Sequence, residues 1–241
     1  MARRAAIVTG ASSGIGLAIA RMLGEEGYGL TVAARRPEKL AAAAQGLRDA
    51  GFEVEAVPAQ LTEEDAVRAV VAAHERRFGR LDVLVNNAGV GIGAPVAEIE
   101  TKRVDLQLDL NVRAMVLFYR EAVGLLRAAA AEHRNALVVN VSSITGKRGQ
   151  AWLSVYSATK AAVVGFTEAM NKELATEGIK STALCPAFVD TPMTDFVKAG
   201  GVAPEALIQP GDIAEAVRML LRLSPPCLVP EIIFERPGDP I

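Results

Sequence analysis

The sequence predicts one α/β domain in which helices cover both faces of a seven-stranded, mostly parallel sheet. Three observations carry that expectation. Short β-rich runs alternate with longer helical patterns along all 241 residues. Several of those runs are continuously apolar rather than alternating, as strands buried on both faces are. The rhythm is even, with no internal repeat and no linker, so a single domain over 1–241 accounts for the chain.

The first strand, AAIVTG (5–10), ends in glycine and leads to a helical pattern at 14–26. GLTVAAR (29–35) is the second strand, followed by a helix at 37–50 that opens on Pro37, a residue suited to a first helical turn. FEVEAVPA (52–59) precedes a helix at 62–78. LDVLVNNAG (81–89) leads to the longest helical pattern, 100–133. ALVVNVSS (136–143) precedes a helix at 152–177. IKSTALCPA (179–187) opens onto an irregular stretch at about 188–210, whose glycines and prolines suit a mobile flap. After a helix at 211–223, LVPEIIFE (228–235) lies in a proline-rich tail, and prolines place it at a sheet edge. A fold wound this way binds ligands at the carboxyl ends of its strands.

Composition removes several classes of function. The net charge of −2 supplies no basic field for nucleic acid. The opening RRAAIVTG carries Arg3 and Arg4 but no long apolar core or cleavage site, so no signal peptide is expected. No apolar run reaches the roughly 18 residues that span a bilayer. Cys185 and Cys227 are too few for a disulfide framework, and with only His74 and His133 beside them no metal site is expected. The expectation is a soluble cytoplasmic protein.

Between the first strand and first helix lies TGASSGIG. Gly10, Gly14 and Gly16 allow a tight turn, close approach of backbone to a pyrophosphate, and close helix–strand packing. Ser12, Ser13 and Ile15 complete the loop, and the helix that follows turns its positive end toward phosphates. This is a Rossmann-type dinucleotide seat. The end of the second strand then reads the adenosine ribose. It carries Arg35 and Arg36, with no carboxylate until Glu38. A guanidinium suits a 2′-phosphate by charge and by forked geometry, so NADP(H) is the expected cofactor, with NAD(H) the alternative.

YSATK places Tyr156 and Lys160 four positions apart, on one face of a helix. Free tyrosine, with a pKa near 10, is a poor base at neutral pH. A cation within about 4–6 Å favours the phenolate and lowers that pKa by about 1–3. Lys160 is expected to do this from the next turn.

These motifs together resemble the short-chain dehydrogenase/reductase family, over essentially the whole chain to about residue 223. TGASSGIG, NNAG at Asn86–Gly89, Asn111 opening a long helix, VSS ending at Ser143, and YSATK occur in that family's order. Tyr156 follows Ser143 by 13 positions, the family's usual spacing. The resemblance implies a catalytic tetrad of Asn111, Ser143, Tyr156 and Lys160. Tyr156 exchanges a proton with the substrate oxygen, Ser143 holds that oxygen, Lys160 holds the nicotinamide ribose, and Asn111 anchors a water. It also implies that Asn86, Asn87, Ala88 and Gly89 both stabilise the central sheet and line the adenine-ribose side, and that Pro186, Val189 and Thr191 flank the nicotinamide. Two departures stand out: Ala187 replaces a glycine, and Gln60-Leu61 replaces an aspartate and its apolar neighbour, leaving the Gln60 carbonyl to accept from adenine.

The substrate is expected among Ser143, Ile144, Trp152, Phe188, Met193 and Phe196, a set favouring a carbonyl or secondary alcohol with an apolar body. Lys147 and Arg148 offer an alternative, the capture of a substrate carboxylate or phosphate. The expected activity is NADP(H)-dependent oxidoreduction. A 3-hydroxy acid dehydrogenase or 3-oxoacyl thioester reductase is the enzymatic alternative, and a silent nucleotide-sensing protein is the alternative of another class. Apolar residues on several faces of the long helices (Val112, Met115, Val116, Leu117, Phe118, Tyr119 and Leu125) predict a homodimer, with a tetramer as the alternative.

Overall fold

The computed structural model describes residues 4–237, so Arg3 and the last four residues lie outside it. Seven strands form one sheet: β1 (Ala5–Thr9), β2 (Gly29–Ala34), β3 (Val54–Pro58), β4 (Val83–Asn86), β5 (Ala136–Val141), β6 (Ile179–Pro186) and β7 (Glu231–Phe234). Their order is β3-β2-β1-β4-β5-β6-β7 and every pairing is parallel, so the sheet is parallel throughout rather than mostly so. β7 is an edge strand, as its prolines suggest. The order reverses between β1 and β4, which opens a crevice at their carboxyl ends.

Alternation along the strands builds two apolar layers. Ala6, Val8, Val85 and Val139 face α1 (Gly14–Glu25), α2 (Pro37–Asp49) and α8 (Pro210–Arg222), meeting Ile19, Leu23, Leu40 and Val217. Ile7, Leu84 and Val138 face α3 (Glu64–Phe78), α5 (Ala114–His133) and α6 (Ser154–Leu174), meeting Val67, Val70, Phe118 and Val163. Both faces are dry, which explains the continuously apolar strands.

The long helix expected at 100–133 is interrupted. It comprises α4 (Thr101–Leu108), one wide π turn (Asp109–Arg113) and α5. Asn111 therefore lies mid-way along a helical run rather than opening one. Its side chain reaches out of the widened turn to Val90, an attachment no helical periodicity reveals. The flap is also more ordered than expected, with a short α7 (Asp195–Ala199) and a parallel bridge between Val189 and Ile208.

A buried polar network holds α5 and α6 on the sheet. Asn140 donates to Tyr119 (2.8 Å) and Thr167 (2.9 Å) and accepts from Asn86 (2.9 Å), while the Tyr119 hydroxyl donates to Ser181 (3.0 Å). A second group sits at the opposite end of the sheet, where strands begin. Asp82 accepts from the Ala5 amide, from both arms of Arg80 and from His133. His74 bridges Thr31 and the Arg80 carbonyl, each at 2.8 Å.

Candidate active site

The glycine loop leaves β1 and enters α1. Gly10 has φ +65°, a left-handed value that glycine takes without strain. A Cβ on Gly16 would lie 2.4 Å from Asn87 Nδ2 and 2.6 Å from the Gly10 oxygen, so this backbone cradle tolerates no side chain. Asn87 spends its amide on the Thr9 and Gly10 carbonyls, and its N–H and that of Ala88 donate to Thr9 Oγ1. In this chain Asn87 holds the loop rather than reaching outward. Ser12, Ser13, Gly14 and Ile15 are half-buried along the loop's mouth.

Arg35 and Arg36 follow the last residue of β2, both exposed and without a side-chain partner among the described residues. Gln60 is exposed, its Nε2 donating to Thr62, and Leu61 is buried beneath it. Pro186 ends β6, Val189 is buried, and the Thr191 methyl rests on the loop: a Cβ at Gly14 would fall 2.9 Å from it. A cradle closed to any Cβ, a helix amino terminus and two unengaged guanidinium groups fit a phosphorylated dinucleotide.

The four expected tetrad residues converge beside this cradle. Asn111 Oδ1 accepts from the Val90 amide (2.8 Å), and its Nδ2 donates to the Val90 carbonyl (2.9 Å) and to Thr159 Oγ1 (3.0 Å). Lys160 Nζ donates to the Val141 carbonyl at 2.9 Å and lies 5.6 Å from the centre of the Tyr156 ring. Ser143 lies close enough to the Tyr156 phenol to lower its pKa, and its Oγ accepts from the Thr145 amide at 3.2 Å. Gly89 and Gly91 cross above them: a Cβ at Gly89 would stand 3.1 Å from Asn111 Oδ1 and 3.4 Å from Lys160 Nζ.

The electrostatics correct one expectation. Burial pushes the Tyr156 phenol up to about 12, against the lowering effect of Ser143, and pulls the Lys160 ammonium down to about 8. Desolvation is the largest effect on both groups, and at the phenol it outweighs the help its neighbours give. Lys160 remains mostly charged at neutral pH.

The expected substrate residues divide. Ile144 is half-buried, while Trp152, Phe188, Met193 and Phe196 are exposed. Phe188 and Phe196 meet edge to face at 6.1 Å. Trp152 has φ +69°, unusual for a bulky residue, and its ring lies directly over Gly93. Lys147 and Arg148 do not wait for a substrate anion: they pair with Glu231 (2.9 Å) and Glu235 (3.0 Å). Thr159, inside YSATK itself, braces Asn111, a role that nothing in its residue type or position signals.

Of the helix residues expected to face a second copy, Met115, Leu117, Phe118 and Tyr119 are buried by the chain's own sheet and helices. The apolar faces of α5 are largely satisfied internally. Exposed Leu108 and Val116 remain.

Residues 4–200 match the family model described as short chain dehydrogenase, and the chain belongs to that oxidoreductase family. A Streptomyces coelicolor protein provisionally named a ketoacyl reductase is 42% identical over 194 residues, covering 80% of this chain and 73% of the relative. Among solved structures, a point variant of actinorhodin polyketide ketoreductase with NADPH superposes with TM-score 0.87 at 33% identity, covering 96% of this chain and 95% of that one. A 3-ketoacyl-(acyl-carrier-protein) reductase from Brucella melitensis, complexed with NADH, gives TM-score 0.84 at 28% identity, covering 95% and 96%.

Proposed function

We propose that this chain is an NADP(H)-dependent reductase that interconverts a carbonyl and a secondary alcohol on an apolar substrate. One observation carries the reading: Ser143, Tyr156, Lys160 and Asn111 converge at the strands' carboxyl ends, beside a loop that admits no side chain. A bound reduced nicotinamide would supply the hydride. The chain's own groups manage the proton: Tyr156 donates it to the carbonyl oxygen and Ser143 holds that oxygen, so charge does not build up unbalanced. In the oxidising direction Tyr156 receives the proton. The phenol, near 12, is neutral at physiological pH and holds the proton that reduction would consume. Lys160, charged below about 8, supports the phenolate left behind.

Arg35 and Arg36 support NADP(H) over NAD(H), and the NADPH in the ketoreductase neighbour agrees. The NADH in the other neighbour keeps NAD(H) as the alternative. The names of the relatives favour a 3-oxoacyl thioester or a related ketone within the broader carbonyl class. One domain carries both the cofactor seat and the substrate flap near 188–210. We further propose a cytoplasmic homodimer, with Leu108 and Val116 covered by a second copy; a stable monomer in light scattering would refute the assembly. Absorbance loss of NADPH and of NADH against ketones, hydroxy acids and 3-oxoacyl thioesters tests the activity. Expected is turnover with NADPH on apolar ketones or thioesters. No turnover with any carbonyl overturns the reading.

A further inference from the structure

The last described residues of the chain are engaged on two sides at once. Glu231 accepts from Lys147 Nζ, and Glu235 from Arg148 Nη1. Lys147 and Arg148 leave the tight turn Ile144–Gly146 that starts at Ser143, and both their backbone amides donate to the Ile144 carbonyl. That turn has no slack. A Cβ on Gly146 would come within 2.6 Å of the Lys160 backbone. Arg236 points the other way: its guanidinium lies 5.5 Å from the centre of the Phe188 ring and reaches the Ala206 carbonyl at 3.4 Å. Phe188 and Ala206 belong to the flap. Backbone pairing fixes this register, because the Ala187 amide donates to the Phe234 carbonyl.

An extended chain sends alternate side chains to opposite sides. Glu231 and Glu235 therefore share one side and Arg236 takes the other. Six consecutive residues thus touch both walls between which a substrate would lie, the Ser143 turn and the flap. The Arg148–Glu235 pair is exposed, and such a pair adds little to folding stability. Together with the Arg236 contacts they reach the Ser143 turn on one side and the flap on the other, rather than the core, which gives them a different role.

We propose that Glu231, Glu235 and Arg236 are positioning residues: β7 and its exit clasp the Ser143 turn and the flap, and so set the width of the substrate cleft. The kinetic part of this inference rests on the reductase reading above. The test uses the full-length chain with Arg148→Glu, Glu235→Arg, their double swap, and Arg236→Ala. Each single variant should lower kcat/KM for a bulky apolar ketone by about fivefold or more while NADPH affinity stays within about twofold. The double swap, which restores the pair with its signs exchanged, should recover most of the loss. Hydrogen exchange should quicken at 143–149 in the Arg148 and Glu235 single variants, and at 188–207 in Arg236→Ala. Unchanged kinetics in the single variants, or no recovery in the double swap, overturns the clasp. If the wild-type chain reduces no carbonyl, the functional reading fails by itself, and exchange decides the clasp: unaltered exchange at both segments refutes it.

Discussion

At Tyr156 two physical effects compete, and burial wins. Sequence spacing shows that an ammonium is one turn away, but it cannot show how much water either group loses. The phenol stands near 12 and the ammonium near 8 because both are desolvated. Replacing Tyr156 with Phe removes the proton donor and should cut turnover by about 10²–10⁴-fold, with NADPH binding nearly intact by fluorescence titration. Loss of binding instead would make the residue structural. Lys160 carries a cost of the opposite kind. A lysine whose folded pKa is depressed destabilises the folded state at every pH below that value, here by about 3 kcal/mol. Lys160→Met should therefore abolish activity and yet raise stability in urea by about 2 kcal/mol, the Val141 carbonyl losing its donor in exchange. A less stable variant would show that the ammonium is better solvated than its surroundings suggest. The tetrad was legible residue by residue because its members sit in short, ordered motifs. Lys147 and Arg148 look like anion receivers in the sequence, because their partners, over 80 residues away in β7 and just beyond it, are not visible locally.

The elements most legible in the sequence were those whose signal is local. Strands dry on both faces are continuous apolar runs, and the glycine loop is spelled out by residue type. The interruption at 109–113 left no such trace, and the π turn's Asn111 bonds to Val90, 21 residues earlier, beyond any local pattern. The apolar surround of α5 misled for a related reason: sequence shows how many faces are apolar but not that sheet, α3 and α6 cover most of them. Glycines of different elements give a paired test of the cradle. Gly16→Ala forces a Cβ to 2.4 Å from Asn87 Nδ2, and should weaken NADPH binding more than tenfold and cost about 1–3 kcal/mol. Gly46 lies in α2 with nothing within 4 Å of an added Cβ, so Gly46→Ala should stabilise by up to about 1 kcal/mol without affecting binding. Calorimetric titration and thermal melts check both, and equal behaviour of the two variants would refute the steric account.

Across the whole molecule, the two ends of the sheet carry different burdens. Burial lowers His74 from 6.5 to about 4, against the raising effect of the Arg80 carbonyl. The unfolded chain therefore takes up a proton before the folded one. That contribution to stability is complete above pH 6.5, falls as pH drops below it, and is lost by about pH 4. Its size is about 3 kcal/mol. Unfolding free energies from urea titrations at pH 7, 5 and 4 should fall by about that margin more in the wild-type chain than in His74→Gln, and parallel profiles would exclude His74 as the source. Asp82, held below the usual carboxylate range by Arg80, the Ala5 amide and His133 against its own burial, adds further loss at lower pH.

None of those groups borders the Ser143–Tyr156–Lys160 constellation: they anchor the strands' starting points, while reaction belongs to their finishing points. A preparation left in weak acid should consequently perish without its rate constants giving warning. Surviving molecules would work normally as their number dwindles, and a buffer chosen for best initial velocity would be a poor guide to shelf life.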